Sequence, residues 1–390
     1  MSEDFSIDDL LENMSEAYEE AARKVEHCNV LIIGKTGVGK STLINTIFQS
    51  RLAETGVGYP ITQNIRRYTK AGCPITIYDT PGLELNPKQI ESVRLDVSEL
   101  IDKQRLKEAK EHIHIVWYCL NHEAKRFDPV EEEWLKNLAL KDVPIILVLT
   151  QTLTKKRSEF QAFLDSKNLP VCQIIPVLAE SKIFDDDYTM KEHGLERLVE
   201  VTAEQLPKEA RKAFLREQKR SIDLKAGEAF KYLTGYIAGS ALVGASPIPF
   251  SDAPLLVTMQ TAMIANITAI FGLPLNRAFI GTVLSAIGGS AGLAMAGRAI
   301  VANLLKMMPG AGTVLGGVIS ASTAAALTLA LGLAYIEALK IYVKAQNDGK
   351  EIPLSELAKL ILELYKYYTR TGQKTLGDDQ SFALRKIDIE

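Results

Sequence analysis

This chain of 390 residues has few cysteines and a small net charge, and each feature argues against a class of function. The four cysteines lie far apart and form no C-x-x-C or histidine-associated pattern, which argues against a zinc site or a disulfide framework. We therefore expect buried thiols in a reducing cytosol. The 45 Lys and Arg residues nearly balance the 48 Asp and Glu residues, so we expect no general attraction to nucleic acid and no nucleic-acid partner.

The N-terminal sequence also lacks the features of a signal peptide, because it is acidic and has neither a basic start nor a short apolar core. Apolar residues recur at three- and four-residue steps from Ile7 to Val25, and Ser6 precedes them as a candidate N-cap. We predict one amphipathic helix within residues 1–27 that packs on a helical domain elsewhere in the chain.

Charge nearly disappears between residues 231 and 337, where the charged residues are Asp252, Arg277, Arg298 and Lys306. The uncharged runs 278–297 and 307–336 are long enough to cross a bilayer. Three interpretations stay open: a membrane hairpin of 278–297 and 311–336, reversible membrane association, or a soluble packed helical domain. Many small residues and the interrupting prolines weaken the first interpretation.

Short Val/Ile/Leu runs alternate with amphipathic segments over residues 28–205, which predicts an α/β domain with a mostly parallel sheet and helices on both faces. Its ligand site is expected at the carboxyl ends of the strands. We expect a charged connector helix at 206–230, a hydrophobic all-α domain at 231–345, and a C-terminal amphipathic helix with a polar tail at 346–390.

Residues 34–41 read GKTGVGKS and fit G-x-x-x-x-G-K-[ST] between the apolar run CNVLIIG and the helical segment STLINTIF. Backbone N–H groups of such a loop turn toward phosphates, and the following helix N-terminus favours anions. Lys40 is expected to reach the β- and γ-phosphates, and Ser41 to bind Mg²⁺. The predicted nucleotide contacts are Gly34, Lys35, Thr36, Gly37, Val38, Gly39, Lys40, Ser41 and Thr42.

A second motif, Asp79-Thr80-Pro81-Gly82, ends the apolar run PITIYDT and matches the D-x-x-G motif of Ras-like GTPases. Asp79 is expected to hold Mg²⁺ through water, and the Gly82 N–H to sense the γ-phosphate. Thr62, in the segment GYPIT, is a candidate second Mg²⁺ ligand or else a plain loop hydroxyl. The predicted metal ligands are therefore Ser41, Thr62 and Asp79.

Leu83 departs from the Ras-like pattern, which has at this position the Gln that orients the attacking water. An apolar side chain does not orient water, so another residue does so, or hydrolysis is slow until a partner contributes a group. Arg126 is a candidate donor to a partner copy, and a solvated loop arginine is the alternative interpretation. The catalytic candidates are Lys40, Thr62, Gly82 and Arg126.

The base end departs as well, because residues 150–153 read TQTL where N/T-K-x-D is expected. The missing Asp is the carboxylate that pairs with guanine, so selectivity comes from other groups or is relaxed. Thr150 and Gln151 remain candidate contacts, and the later segment Leu178, Ala179 and Glu180 stands where a second base loop belongs. We expect GTP or GDP with Mg²⁺, with ATP as the less favoured alternative.

Together GKTGVGKST, GYPIT and DTPGLE resemble TRAFAC-class, Ras-like GTPases, and the P-loop is similar to those of septin-related and immunity-related GTPases. The segments ASPIPFSDAPLLVTMQTAMI and KMMPGAGTVLGGVISASTAAALTLALG resemble a bacterial helical domain of unknown function. The resemblance implies dimerisation across the nucleotide and action at membranes. It also implies that helices from both chain ends share one helical domain.

Three functions follow as hypotheses. The first is a GTP-hydrolysing switch or mechanoenzyme, cytoplasmic and membrane-associated, that forms a nucleotide-dependent homodimer or higher oligomer. The second is a nucleotide-binding scaffold with little hydrolysis, which Leu83 and the missing Asp favour. The third is a ribosome-assembly GTPase, which the nearly uncharged C-terminal half disfavours because such proteins carry basic RNA-binding appendages.

Overall fold

The computed structural model describes residues 12, 14–19, 27–49, 57–62, 65–80, 87–185, 188–244, 253–274, 276, 279, 283 and 321–375. The chain divides into two compact units, which are described separately. The first unit comprises Arg23–Leu224, and the second comprises Met1–Ala22 with Lys225–Glu390. The division confirms an α/β unit joined to an all-helical unit that takes in both ends of the chain.

The strands of the first unit, as far as the chain is described, are β1 (Cys28–Gly34), β2 (Val57–Thr62), β3 (Ile65–Thr69), β4 (Ile75–Asp79), β5 (Ile115–Asn121), β6 (Ile145–Thr150), β7 (Gln173–Pro176), β8 (Lys182–Asp185) and β9 (Tyr188–Met190). The helices are α1 (Lys40–Ile47), α2 (Pro87–Arg105), α3 (Pro129–Ala139), α4 (Glu159–Ser166), α5 (Leu195–Gln205) and α6 (Lys208–Glu217). The helices of the second unit are α7 (Ile222–Gly244), which begins just before the boundary, α8 (Ala253–Phe271), α9 (Ala321–Asn347) and α10 (Leu354–Thr375).

Seven strands form the main sheet in the order β2-β3-β4-β1-β5-β6-β7. The strands from β4 to β7 in this order run parallel, whereas β2 pairs antiparallel with β3 and β3 pairs antiparallel with β4. The parallel strands are apolar on both faces because helices cover both sides of such a sheet. Successive residues of β5 show this, since Trp117 packs in one core cluster and Tyr118 in the other.

Helix α6 corrects the expectation of a single charged connector helix at 206–230. Two helices occupy this stretch, with α6 ending at Glu217 and α7 beginning at Ile222. The apolar face of α6 places Phe214 edge-on to Phe48 and Trp117, with ring centroids 5.8 and 6.5 Å apart. Lys208 is exposed, whereas Arg211, Lys212 and Arg216 are half-buried, and the helix belongs to the α/β unit.

The cysteines match the expectation of buried thiols at Cys28, Cys73 and Cys119, whereas Cys172 is exposed. Cys172 immediately precedes β7, whose outer position in the sheet leaves its neighbours near solvent. No disulfide joins any of these four described cysteines. The buried ones pack as small apolar residues in one core cluster of this unit.

The helical unit closes the C-terminal end of α8 with two side chains. Tyr18 donates from its hydroxyl to the Leu273 carbonyl at 3.1 Å, and buried Lys225 donates from Nζ to the Phe271 carbonyl at 2.8 Å. Carbonyls at a helix C-terminus have no partner within the helix, so these donors replace water there. The contact from Tyr18 ties the N-terminal segment to this unit.

Helices α9 and α10 pack against each other, and α9 also packs on α8. Within α9, residues 323–347 have a mean hydropathy of 1.6 and are long and apolar enough to span a bilayer, yet 61% of the apolar window is buried inside the unit. A buried core helix meets the same criterion. The hairpin predicted at 278–297 and 311–336 falls mostly outside the described residues, which include only Phe279, Val283 and 321–336 of it.

Candidate nucleotide site

The loop that the sequence predicts to bind phosphate lies between β1 and α1. Gly34 ends β1 so close to β5 that a Cβ at this position would stand 2.7 Å from the Cys119 carbonyl oxygen. Gly39 caps α1 with φ of 95°, a left-handed conformation that side-chain-bearing residues rarely adopt. The loop of residues 35–39 therefore depends on glycine at both ends.

Lys40 is buried at the start of α1, and its ammonium group turns back over the loop. Nζ donates to the carbonyls of Gly34 at 2.8 Å and Lys35 at 3.2 Å. These bonds hold the charge beside the loop's N–H groups and the N-terminus of α1, which together favour an anion. Ser41 is exposed next to Lys40, and Thr42 is half-buried.

Asp79 ends β4, in register with Ile32 of β1 and Arg66 of β3. Burial raises the pKa of its carboxyl to about 6, although Lys40 and Arg66 lower it. Its Oδ1 is buried and has no hydrogen-bond partner among the described residues. An orphaned carboxylate oxygen next to an ammonium group and the hydroxyl-bearing start of α1 fits a Mg²⁺ site. Asp79 and Ser41 are the residues that would hold this ion.

Thr62 lies in a different element from the one expected, because residues 57–62 form the edge strand β2 instead of a loop. Its backbone pairs with Ile65, and the next residue, Arg66, pairs with Asp79. The β2–β3 hairpin thus brings the Thr62 backbone to the end of the sheet where Asp79 lies. The Thr62 side chain, Gly82 and Leu83 lie outside the described residues, so their predicted roles stay predictions.

Lys35, the other lysine of the P-loop, forms ion pairs with residues at the start of α3. Lys35 Nζ lies 3.0 Å from Asp128 Oδ2 and 3.4 Å from Glu131 Oε1. Glu131 also accepts from the Asp128 N–H at 2.8 Å, which completes a capping box at this helix start. Asp128 and Glu131 were not predicted site residues, although the pattern D-P-x-E marks a helix N-terminus in the sequence.

Arg126 is exposed over 73% of its side chain and donates from Nε to Asp128 Oδ1 at 2.8 Å. Asp128 thus lies between Arg126 and Lys35 of the P-loop. The hydrogen bonds from Arg126 and Lys35 hold the pKa of Asp128 below its usual range. The predicted donor arginine therefore lies near the P-loop, with Asp128 between the two. Its side chain faces solvent.

Gln151 connects the base end to the P-loop. It follows β6 with φ of 54°, and its Nε2 donates to the Gly37 carbonyl at 2.8 Å. Thr150 is buried and donates from its hydroxyl to the Leu120 carbonyl at 3.0 Å, so its side chain holds β5 instead of facing a ligand. Of the two predicted contacts in this loop, only Gln151 extends toward the P-loop.

His193, which the sequence analysis did not identify, connects the loop of residues 150–153 with the loop that contains Leu178. His193 pairs with Leu178 through both backbone groups, at 3.0 and 3.1 Å, and its Nε2 lies 3.0 Å from the Thr152 carbonyl. Thr152 N–H in turn donates to the Val177 carbonyl at 3.1 Å. Ala179 is half-buried and Glu180 exposed beside this junction. No sequence motif marks His193, because it is positioned only by the fold.

Glu123 is a second residue that the sequence analysis missed. Its Oε1 accepts from the Leu153 N–H at 3.3 Å and lies 2.6 Å from His122 Nδ1. His122 is buried, and its Nε2 lies 2.8 Å from the Ser158 hydroxyl at the start of α4. Burial raises the pKa of Glu123, but the bonds from His122 and Leu153 outweigh it, so the pKa lies below its usual value.

Comparison with known families agrees with this geometry in the first unit. Residues 29–151 match the family described as 50S ribosome-binding GTPase. The sheet order, the P-loop and Asp79 thus make the first unit a P-loop GTPase domain. Residues 227–366 match a domain of unknown function, DUF697, so the second unit contains that domain.

Individual relatives resemble only parts of the chain. Translocase of chloroplast 108 from Physcomitrium patens is 41% identical over 71 residues, which is 17% of this chain and 7% of the relative. GTPase Era from Geotalea uraniireducens (strain Rf4) is 30% identical over 178 residues, 44% of this chain and 53% of the relative. A crystal structure of a probable GTP-binding protein engB is 21% identical, with a TM-score of 0.31, and the match covers 45% of this chain and 97% of that one.

Proposed function

We propose that this chain is a GTP-hydrolysing switch of the septin-related and immunity-related type, which pairs through its GTPase domain and acts at a membrane through its helical unit. The observation that carries the proposal is the phosphate end of the site. Buried Lys40 lies over the loop carbonyls, and the orphaned Oδ1 of Asp79 stands next to it. A cation and an unsatisfied carboxylate at a helix N-terminus suit a nucleoside triphosphate with its Mg²⁺.

The bound Mg²⁺ would neutralise charge on the phosphates during hydrolysis. Lys40 stabilises the charge of the same phosphates, and the α1 N-terminus orients them. Arg66 and Lys40 lower the pKa of Asp79, which keeps a share of its carboxyl ionised for the metal although burial raises that pKa. Leu83 supplies no group to the attacking water, so the water-orienting group is expected from elsewhere.

Phosphate release by the purified full-length chain tests the enzymatic part. Parent protein with GTP and Mg²⁺ should release phosphate, and removal of Mg²⁺ with EDTA should abolish release. Asp79→Asn is the sharper test, because it keeps the size of the side chain but removes the charge. Equal release by the parent protein and D79N would contradict the assignment of Asp79, and no release by the parent under any condition would favour a nucleotide-binding scaffold.

Pairing of two GTPase domains is proposed from the position of Arg126. Its guanidinium is exposed at the phosphate end, held by Asp128 next to Lys35. An arginine in this position is accessible to a second copy facing the same site, where it would compensate for Leu83 by stabilising transition-state charge. Hydrolysis per molecule should then rise with protein concentration.

Arg126→Ala should remove that rise, and Arg157→Ala is its matched control. Arg157 is also an exposed arginine of the same domain, 65% exposed and paired with Asp165, but it lies in the segment before α4. We expect R126A to flatten the dependence of specific activity on concentration and R157A to retain it. A concentration dependence that survives in R126A would contradict the role of Arg126.

Membrane action is proposed from the apolar helical unit, in which α9 is long and apolar enough for a bilayer. Flotation of the full chain with vesicles of phosphatidylcholine, with and without phosphatidylglycerol, tests it. Co-flotation that increases with a non-hydrolysable GTP analogue supports a nucleotide-controlled membrane protein. Protein that stays at the bottom of the gradient with every nucleotide contradicts membrane action.

A ribosome-assembly GTPase is the second candidate, because the GTPase domain matches a family described as ribosome-binding and resembles GTPase Era. The matched part of Era is 53% of that protein, and the rest of this chain contains the DUF697 domain. Cosedimentation with 50S subunits in the presence of a GTP analogue separates the two candidates. Stable cosedimentation with 50S subunits and absent flotation would favour the ribosomal function.

A further inference from the structure

The base end of the site has a carboxylate although the motif that normally supplies one is missing. Residue 153 is Leu, at the position of the Asp in N/T-K-x-D. Glu123, which follows β5, reaches the backbone of this residue from the neighbouring loop, and its Oε1 accepts from the Leu153 N–H at 3.3 Å. Glu123 thus places a carboxylate against the backbone of the residue whose side chain would otherwise carry it.

The loop that carries Glu123 is fixed beside the base loop. His122 N–H donates to the Thr150 carbonyl at 2.9 Å, and the Asn121 side chain accepts from the Glu123 N–H at 2.9 Å. The His122 ring holds the carboxylate through Nδ1 and reaches Ser158 through Nε2. A carboxylate held in this way loses little conformational freedom when it binds a ligand.

The carboxylate is also accessible and charged. The Glu123 side chain is 40% exposed, and both of its hydrogen bonds use the same oxygen, Oε1. Its lowered pKa keeps it ionised at neutral pH. Gln151 binds the P-loop on one side of the base loop, and His193 joins the other base loop to Thr152. Glu123 therefore lies beside the loop of residues 150–153, which contacts the P-loop through Gln151 and His193 through Thr152.

We propose that Glu123 is the guanine-reading residue of this GTPase domain, replacing the missing Asp from a different loop. Its carboxylate accepts from N1–H and the 2-amino group of guanine. Adenine has neither donor, since its N1 is an acceptor and it lacks a 2-amino group, so the carboxylate disfavours it. The inference rests on the proposed nucleotide function and concerns base selectivity alone.

The test measures the affinities of the full chain for fluorescent GDP, IDP, XDP and ADP in the presence of Mg²⁺. Hypoxanthine lacks the 2-amino group, and xanthine has a carbonyl in its place. The parent protein should bind GDP at least about tenfold more tightly than IDP, and ADP more weakly still. Glu123→Gln should weaken GDP binding at least about tenfold and tighten XDP binding, because a carboxamide donates to the xanthine carbonyl.

Glu196→Gln is the matched control, because Glu196 is exposed on α5 and lies outside the loops of the site. It should leave all four affinities within about twofold. Thermal unfolding of both variants shows whether they fold. The proposal also requires the parent protein to bind GDP more tightly than IDP. This measurement tests the proposal even if Glu123→Gln does not fold.

The outcomes separate this inference from the proposed function. Equal parent affinities for GDP and IDP overturn guanine reading by a carboxylate but leave a nucleotide-binding domain. Parent selectivity for GDP that persists in folded Glu123→Gln shows that another group reads the base, which overturns the role of Glu123 alone. Absence of any nucleotide binding by the parent protein overturns the proposed function and this inference with it.

Discussion

The phosphate end and the base end of this site are built in opposite ways. At the phosphate end, consecutive residues from Gly34 to Ser41 supply the loop, the cation and the start of a helix, and Asp79 adds a carboxylate from the adjacent strand. At the base end, short segments far apart in the chain meet through single contacts, such as those of Gln151 and His193. Local sequence therefore encodes one end, and tertiary contacts assemble the other.

The difference has a physical cause in what each end must recognise. Phosphates are bound by backbone N–H groups, a helix dipole and one cation, which a continuous loop supplies. A base is recognised by a few hydrogen bonds at fixed positions, which several loops can deliver from different directions. Under the proposal for Glu123, the base end keeps a carboxylate although its motif is lost, whereas the phosphate loop tolerates little substitution.

Lys40→Ala is expected to have the largest effect and to act on all nucleotides alike. Removal of its buried charge should cost about 3 kcal/mol, a loss of at least about one hundredfold in affinity for GDP and ADP. Isothermal titration measures both constants. Lys35→Ala is the control, because Lys35 Nζ pairs with Asp128 and Glu131. If Lys35→Ala lost as much nucleotide affinity as Lys40→Ala, the assignment of phosphate binding to Lys40 would be contradicted.

His114 lies at the end of the sheet opposite the site. It is expected to make the stability of the fold depend on pH, independently of the site. Burial lowers the pKa of His114 to about 4, and the ring accepts from the Asn29 N–H through Nδ1. The unfolded state, with a histidine pKa near 6.5, then binds more protons, so stability falls as pH drops from about 6.5 to 4. The loss is at most about 3 kcal/mol.

Denaturant unfolding across this pH range measures that slope for the parent protein and for His114→Gln, which does not titrate. The variant should show a shallower slope between pH 6.5 and 4. An unchanged slope would assign the pH dependence to other groups. With this slope known, losses of nucleotide affinity at low pH can be corrected for unfolding before the two ends of the site are compared.

His193→Ala tests whether the two base loops depend on each other. The substitution removes the contact from Nε2 to the Thr152 carbonyl but keeps the backbone pairing with Leu178. We expect a cost of about 1 kcal/mol that reduces the preference for GDP over ADP about fivefold, with little change for ADP itself. Equal losses for both nucleotides would show that His193 serves the phosphate end as well.

Gln151→Ala should have the smallest effect, because it removes one exposed hydrogen bond, from Nε2 to the Gly37 carbonyl. A cost of about 0.5 to 1 kcal/mol would weaken GDP and ADP alike by a few-fold, since Gln151 steadies the loop that both share. Competition binding with the two nucleotides measures it. A loss confined to GDP would instead place Gln151 against the base.

Much of the fold follows from local sequence patterns. The apolar runs that begin at Cys28 and Ile115 became buried strands, because β-branched and apolar residues on both faces require a sheet covered by helices. The charged segment after residue 206 lacks such a clear pattern. Its helix α6 looks like a solvated connector in sequence, yet Phe214 buries its other face against Trp117.

The predicted phosphate end is recognisable from the sequence alone, because its glycines, Lys40 and Ser41 belong to one continuous loop and Asp79 to a strand motif. The contacts that join Asp128 to Arg126 and Lys35, His193 to Thr152, and Glu123 to Leu153 are visible only in the folded chain. These contacts link residues far apart in the chain or in different loops, so no spacing in the sequence records them. They exist because parallel strands bring the loops at their carboxyl ends to one edge of the sheet.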